Sequence, residues 1–422
     1  MTDSPAVPDV LFTNAHVVPI VGEPFDGDVL VRDGRIAALG TGLADQLSLG
    51  EGGIETVDAG GRWLLPGLVE AHGHVGIHEE AHGWAGDDTN EAGESNGAKF
   101  RALDAIHPTD EGFRDALSGG VTSIVVKPGS ANPIGGQTVA LKTWGRIVDE
   151  MVIRQPCSMK SALGENPKNY NWNNQKRPPK TRQAVASQIR EALVEAVNYR
   201  ERLEQAEREG KHADRNLTNE ALGLVLDGTI PWCQHCHRVD DIATALRLSE
   251  EFGYRLVVNH GTEAHLIADV LADKRVPVII GPLFTSRSKQ ELENRSISNP
   301  GRLARAGVLI AITTDAPVVP INFLVHQASL AVKEGLDPTV ALESITINPA
   351  RILGLDERVG SIEVGKDADL VLWSGDPLDV MSRAEKVYVE GRAVYDFDPA
   401  SGQGTTLDPY VALGRTVGLP VR

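Results

Sequence analysis

The feature that most constrains the fold is an alternation of short apolar segments with helical segments between residues 64 and 355. The apolar segments are rich in β-branched residues and are bounded by Gly and Pro, as buried strands are. Strands that alternate with helices over this length favour a parallel sheet closed into an eight-fold barrel. The predicted strands are residues 64–68, 121–126, 159–163, 232–235, 255–259, 276–280 and 308–313, and the clearest predicted helices are 181–209, 240–252 and 337–353.

Short strand-like segments flank this region on both sides, at 9–18, 28–32, 35–39 and 55–58 before it and at 360–363, 369–373, 386–389 and 392–395 after it. Because isolated short strands need partners, we expect the two chain ends to pair into one β-sandwich. The predicted fold class is therefore α/β, a (β/α)8 TIM-like barrel with a small β-sandwich domain built from both chain ends. The predicted domains are 1–63 (sandwich, first part), 64–355 (metal-binding barrel) and 356–422 (sandwich, second part, and C-terminal tail).

Composition narrows the classes of partner and the compartment. The net charge of −17 argues against nucleic acid and anionic membranes, which both require a basic surface. No apolar run reaches the ~18 residues of a membrane-spanning helix, and the first residues lack the charged and apolar regions of a signal peptide. The three cysteines are too few and odd in number for a disulfide framework. We therefore expect a cytoplasmic protein.

The strongest local motif is His72-Gly73-His74, at the end of the apolar stretch LLPGLVEAHGHVG. Positions i and i+2 of a strand point to the same side, so both imidazoles can reach one metal ion. A structural histidine pair is the alternative, but the buried-strand pattern before His72 and the Gly that follows favour a metal site.

Three further side chains end apolar segments in the same way, namely His235, His260 and Asp315. Each histidine alone is more typical of a packed core residue than of a ligand. A buried carboxylate, however, is costly unless a cation or hydrogen bonds compensate for it. Active sites of parallel barrels lie at the carboxyl ends of the strands, so the groups are expected to meet there.

These motifs resemble those of the amidohydrolase superfamily. The resemblance rests on His72-Gly73-His74, on His235, His260 and Asp315, and on the stretch ITINPARILGLDERVGSIEVGKDADLVLWSGDP near the C-terminus. The stretches VRDGRIAALG and WLLPGLVEAHGH near the N-terminus are also similar to imidazolonepropionase-like and prolidase-like members. The resemblance covers nearly the whole chain.

The resemblance implies a centre of one or two divalent metal ions, with zinc as the first expectation and iron, manganese and nickel as competitors. Asp315 would be both a ligand and the base that shuttles the proton, with His260 acting beside it in catalysis. The implied histidine ligands are His72, His74, His235 and His260.

Binuclear members of the superfamily also need a bridging carboxylate near the fourth strand, often a carbamylated lysine. Lys160 lies on a predicted strand and fits this role, and a lysine buried there without a partner would otherwise be unexplained. Glu165, five residues later, is a rival because some members use a glutamate. Both assignments stay open at this stage.

Candidate substrate-binding groups lie in the loops around the expected site. His237 follows His235 by two residues and can project into the same opening, although packing is an equal alternative. Asn132 and Gln137 lie in a Gly- and Pro-rich stretch and can bind a carbonyl or carboxylate. Tyr170 and Arg177 belong to the polar segment 166–179, which we predict to be a lid or substrate loop.

The sequence therefore predicts a metal-dependent hydrolase that cleaves an amide, peptide or cyclic amide C–N bond in a small molecule with metal-activated water. A deaminase of a heterocyclic amine is the alternative within enzymes. A non-catalytic barrel scaffold is a third hypothesis, but it would have no use for ligands at four strand ends. A homo-oligomer is the default expectation for a soluble enzyme, with neither nucleic acid nor a membrane as partner.

Overall fold

The computed structural model describes residues 7–46 and 53–413. The last nine residues of the predicted C-terminal tail lie outside these ranges. The strands are β1 (Asp9–Val17), β2 (Phe25–Arg32), β3 (Arg35–Gly40), β4 (Ile54–Asp58), β5 (Trp63–Pro66), β6 (Leu68–Gly73), β7 (Val121–Val126), β8 (Ile134–Gln137), β9 (Val139–Lys142), β10 (Val152–Arg154), β11 (Met159–Ala162), β12 (Trp232–Cys236), β13 (Leu256–His260), β14 (Val278–Ile280), β15 (Ile310–Ile312), β16 (Leu370–Trp373), β17 (Ala384–Val389), β18 (Arg392–Asp398) and β19 (Gln403–Thr406).

The α-helices follow the strands as expected for an α/β chain, with the longest, α5, between β11 and β12. They are α1 (Leu43–Gln46), α2 (Glu111–Ser118), α3 (Val148–Met151), α4 (Glu165–Lys168), α5 (Arg182–Arg208), α6 (Leu217–Leu226), α7 (Val239–Phe252), α8 (Ala268–Asp273), α9 (Asn299–Arg305), α10 (Leu324–Lys333), α11 (Pro338–Glu343), α12 (Ile347–Leu353) and α13 (Pro409–Leu413). None of the helices in the described ranges is long and apolar enough to cross a membrane.

The two chain ends meet in one nine-stranded sheet. Its order is β19-β18-β17-β16-β5-β1-β2-β3, with β4 beside β1. The ends join where β16 runs antiparallel to β5, with Leu370 opposite Pro66. The predicted strand 360–363 is wrong, because Gly360 has a φ of 94° and the chain turns there. Since β5 runs to residue 66, this sheet extends past the predicted boundary at 63; the three domains stay a prediction.

The central region forms a TIM-barrel-like α/β arrangement from two mixed sheets, with orders β10-β9-β7-β6 and β15-β14-β13-β12-β11-β8. Two backbone hydrogen bonds of 2.9 Å, from Thr138 N to Ser158 O and from Cys157 N to Thr138 O, link the two sheets. The opposite edges of the two sheets are β6 and β15, and there the Thr313 hydroxyl donates to His72 O at 2.7 Å. Strands β6 and β15 therefore lie side by side.

The arrangement differs from eight parallel strands at the third position. β9 runs antiparallel to β7, and β8 runs antiparallel to β11. Only Thr138 separates β8 from β9, so one extended segment pairs with β11 in one sheet and with β7 in the other. The Gly- and Pro-rich stretch that was predicted to be a loop therefore ends as a strand, β8, at Gln137.

Helix predictions were accurate where the periodicity was long. Helices 181–209 and 240–252 are confirmed as α5 and α7. The predicted helix 337–353 is instead two helices, α11 and α12, because Thr346 between them has φ −135° and ψ −90°. The predicted loop 166–179 is helical in its first part, where α4 continues into a π-helical turn at Asn169–Asn174.

Candidate metal centre

A cavity of about 430 Å³ opens at the carboxyl ends of the parallel strands. Its lining combines imidazoles with two lysines and one carboxylate, which are the groups that bind metals and anions. These titratable lining residues are His72, His74, His78, Lys160, His235, His237, His260, Lys289 and Asp315.

Asp315 brings the first two histidines together. Its Oδ1 lies 2.9 Å from His72 Nε2 and 3.4 Å from His74 Nε2. The ring of His260 lies 5.0 Å from the ring of His72, measured between centroids. One metal ion could therefore be held by His72, His74 and Asp315, whose ligand atoms all lie within 4.8 Å of one another.

Backbone carbonyls orient two of the rings. His74 Nδ1 lies 2.7 Å from Lys127 O, and His260 Nδ1 lies 2.8 Å from Gly281 O. Each Nδ1–H therefore donates to a carbonyl and leaves Nε2 as a free acceptor, as metal-binding histidines require. Gly281 must lack a side chain, because a Cβ there would lie 2.1 Å from Thr313 O.

His72 Nε2 provides the test of whether a metal fits. This nitrogen is buried and makes no hydrogen bond of good geometry in residues 7–46 and 53–413, although Asp315 Oδ1 lies 2.9 Å from it. At the other side of the ring, Asn259 Nδ2 lies 3.0 Å from His72 Nδ1, and Asn259 Oδ1 is unpaired. With its amide turned over, Asn259 accepts from Nδ1–H, which fixes the tautomer with Nε2 free. An acceptor buried in this way fits a metal ligand.

Glu70 fixes the strands that carry these ligands. It is fully buried, and its carboxylate accepts from His72 N at 3.0 Å and from Thr314 N at 2.9 Å. Burial raises the pKa of Glu70, against hydrogen bonds that lower it. Glu70 was not identified from the sequence, although an acid within the apolar stretch, two residues before His72, is a signal for such a role.

Two of the candidate ligands have left-handed backbones. Asp315 has a φ of 55° and His260 a φ of 71°. Non-glycine residues held in this region store strain, which is common where a side chain must be aimed at a functional site. The strain supports a role for both side chains beyond packing.

The protonation states suit metal binding. Burial lowers the pKa of His260 to about 4, with Asp315 acting in the opposite direction. Burial likewise lowers the pKa values of His72 and His235 well below their usual range. Burial alone would raise the pKa of Asp315, but the imidazoles of His260, His72 and His74 around it hold that pKa well below its ordinary value. Near neutral pH the site therefore offers neutral imidazoles and a carboxylate.

A second cluster lies on the other side of His260. His235, His237 and Glu291 are all buried, with ligand atoms within 4.8 Å of one another. His237 Nδ1 lies 2.8 Å from the Thr262 hydroxyl, and its Nε2 lies 3.8 Å from Glu291 Oε1. His235 Nδ1 has no partner within the described ranges. Glu291 was missed because no local pattern links it to β12.

The structure places the two rival bridging residues differently. Lys160 lies on β11, is 1% exposed and lines the cavity, and its ammonium donates to Pro128 O at 3.1 Å. Burial lowers its pKa to about 7, with Asp315 opposing the shift. Glu165 begins α4, and it is not among the described residues that line the cavity. The geometry therefore favours Lys160.

The four loop candidates for substrate binding do not line this cavity in the described part of the chain, whereas His237 does. Their side chains instead hold the segment around residues 90–98, which carries one wall of the cavity. Tyr170 OH lies 3.4 Å from Asn90 O, Asn132 donates to Glu91 O at 2.8 Å, Arg177 donates to Ala92 O at 2.6 Å, and Gln137 donates to Ala98 O at 3.1 Å. Their role in binding substrate stays a prediction.

Comparison with known proteins agrees with this geometry. The family model for the amidohydrolase family matches residues 63–394. Amidohydrolase tasK of Hapsidospora irregularis is 31% identical over 88% of this chain, and the chain spans 40% of that protein's length. The crystal structure of an amidohydrolase from Thermotoga maritima is 44% identical, with a TM-score of 0.87, over 91% of this chain and 99% of that one.

Two further relatives have names that state different reactions. The imidazolonepropionase of Mesorhizobium japonicum is 26% identical, over 90% of this chain and 93% of its own length. A 5-methylthioadenosine/S-adenosylhomocysteine deaminase of Desulforudis audaxviator is also 26% identical, over 92% of this chain and 91% of its own length. The match to the family model extends over most of the sequence, including His72, His260 and Asp315. The chain therefore belongs to the amidohydrolase family, metal-dependent hydrolases that act on C–N bonds.

Proposed function

We propose that the protein hydrolyses an amide, peptide or cyclic amide bond in a small molecule, with Asp315 as the proton shuttle. The observation that supports this proposal best is the position of Asp315 Oδ1, 2.9 Å and 3.4 Å from two histidine Nε2 atoms. A carboxylate at this point can hold both a cation and the water that attacks the substrate.

The proposed ligands are His72, His74, His235, His260 and Asp315. A divalent ion bound there would supply water that is acidic enough to react at neutral pH and would polarise the scissile carbonyl. Asp315, ionised because its pKa is well below the usual range, would accept the proton of that water. The same carboxylate would then return the proton to the leaving nitrogen.

Lys160 completes the proposal as a carbamylated bridge between two ions. Carbamate formation needs a neutral amine, and burial lowers the pKa of Lys160 to about 7. Its ammonium has a carbonyl oxygen as its hydrogen-bond acceptor and no carboxylate within ion-pair distance among the described residues. Zinc as the ion, a cytoplasmic location and a homo-oligomer stay predictions.

Metal content and intact mass test this proposal. We expect about two metal ions per chain and an added mass of one CO₂ that is lost in acid. Lys160→Met should lose that added mass and one ion, whereas Lys274→Met, at an exposed lysine that pairs with Glu250, should keep both. A panel of cyclic amides, dipeptides and N-acyl amino acids then identifies the substrate. A protein that binds no metal on reconstitution would contradict the proposal.

Deamination is the second candidate, and the deaminase relative favours it because the match extends over nearly the whole of both chains. One metal ion per chain and an unmodified Lys160 would favour this reading. Release of ammonia from heterocyclic amines, with no cleavage of cyclic amides, would show that the protein is a deaminase.

A further inference from the structure

We propose that Lys289, with the hydroxyls of Thr285 and Ser288, recognises a carboxylate group on the substrate. The inference rests on the proposed function, because that function gives the position of the scissile bond. All three residues line the metal cavity and come from the segment that follows β14. Ammonium and hydroxyl donors on one wall are the groups that bind oxyanions.

The ammonium of Lys289 has a hydrogen-bond donor that is available to a ligand. Its Nζ lies 2.9 Å from Glu291 Oε1 and 2.9 Å from Asn166 Oδ1. An ammonium has three N–H donors, so at least one donor stays free even if both of these oxygens accept from it. The side chain is 23% exposed and borders the cavity. The hydroxyls of Thr285 and Ser288 make no hydrogen bond within the part of the chain that the structure describes.

Glu291 holds this lysine in place. The Glu291 side chain is fully buried, and its Oε2 accepts from Glu165 N at 3.0 Å. Arg182 approaches the same oxygen at 4.0 Å. Glu291 therefore has little freedom to turn, and Lys289 is positioned before any ligand arrives, which lowers the entropy cost of binding.

The charges around the cavity favour an anion. Its described lining contains the ammonium of Lys289 beside the carboxylate of Asp315, and the carbamate proposed on Lys160 would add a second negative charge. Glu291 compensates part of the charge of Lys289, but it does not line the cavity in the described residues. Two divalent ions would outweigh these anionic groups, so the electrostatic potential at the loaded site would attract a negatively charged small molecule.

The position of Lys289 also limits the spacing within the substrate. Asn166 connects it to the centre, since Asn166 Oδ1 accepts from Lys289 and Asn166 Nδ2 lies 3.3 Å from His235 Nε2. Only one side chain therefore separates the ammonium from a proposed metal ligand. The substrate class that fits is an N-acyl amino acid or cyclic amide with its carboxylate a few bonds from the scissile C–N bond.

Calorimetric titration of the metal-containing protein with levulinate and with its methyl ester tests the inference. Both probes carry a carbonyl and neither has a C–N bond, so binding is measured without amide turnover. We expect the carboxylate to bind about 10–100-fold more tightly than the ester, the effect of one charge-assisted hydrogen bond. Lys289→Met should remove this preference, and Lys289→Arg should keep most of it.

Controls separate the ligand effect from the effect on folding. Lys289→Met combined with Glu291→Gln leaves no unpaired buried charge and should also show no preference, whereas Lys274→Met should behave as the unmodified protein. Equal affinity for the two probes, no binding of either, or a preference that survives in both Met variants would overturn the inference. If levulinate binding depends on Lys289 but no C–N bond is hydrolysed, the proposed function fails and the anion site stands.

Discussion

Two buried lysines, Lys142 and Lys160, show how the same residue type serves different purposes in two regions. Lys142 lies where β9 meets the nine-stranded sheet, and its ammonium is 2.9 Å from Asp367 and 2.5 Å from Asp369. Lys160 lines the metal cavity and is equally buried, but its ammonium donates a hydrogen bond to the carbonyl of Pro128.

The difference teaches which buried polar groups stabilise the fold and which are kept for chemistry. At the junction, burial would raise the pKa of Asp367, but Lys142 and Arg358 outweigh it and lower that pKa. Each charge there has an opposite charge beside it. At the cavity, His235 Nδ1 is buried without a hydrogen-bond partner among the described residues, and such an atom has a desolvation cost that a bound ligand can offset.

The largest expected effect is on activity. Asp315→Asn should lower kcat/KM by about 10³-fold or more, because the proposed proton shuttle and a metal ligand are both lost. Asp369→Asn, at the junction, is the matched control and should change kcat/KM less than about threefold per folded molecule. Steady-state kinetics on the identified substrate provide the measurement, and near-normal activity of Asp315→Asn would contradict the assignment.

The next largest effect is on stability. Lys142→Met should lower the free energy of unfolding by about 3–5 kcal/mol, because it leaves two buried aspartates with too few cations. In the metal-free protein, Lys160→Met should leave the free energy of unfolding unchanged or raise it, because the substitution removes a buried ammonium that has no carboxylate partner. Urea unfolding of both variants measures the contrast. Equal losses would show that the two lysines do not differ in the way proposed.

The effect that is smallest per step, because it is spread over several pH units, is the pH dependence of stability in the metal-free protein. The folded pKa of Lys160 is about 7, below its ordinary value of 10.5, so between these values the unfolded chain binds the extra proton. Stability should therefore rise as the pH increases from 7 toward 10.5, by up to about 1.4 kcal/mol per pH unit. Lys160→Met should remove this part of the slope, measured by urea unfolding at several pH values. If the slope persists in Lys160→Met, then other titratable groups cause it.

The sequence by itself determined the parts that depend on local geometry. The spacing of His72 and His74 places both rings on one side of a strand, because side chains alternate along it. Positions at strand ends placed His235, His260 and Asp315 at one edge, where the structure finds them around one cavity. Long periodic helices such as α5 were also predicted, since their pattern is repeated over many residues.

Only the tertiary structure decided what depends on contacts between distant segments. The antiparallel return of β8 and β9 was hidden by a Gly-rich stretch that has no strand pattern. Glu291 and Lys289 reach the site because their loop packs against α4, more than a hundred residues earlier in the chain. Such contacts join segments with no shared local signal, and their energy comes from burial and charge pairing that exist only after folding.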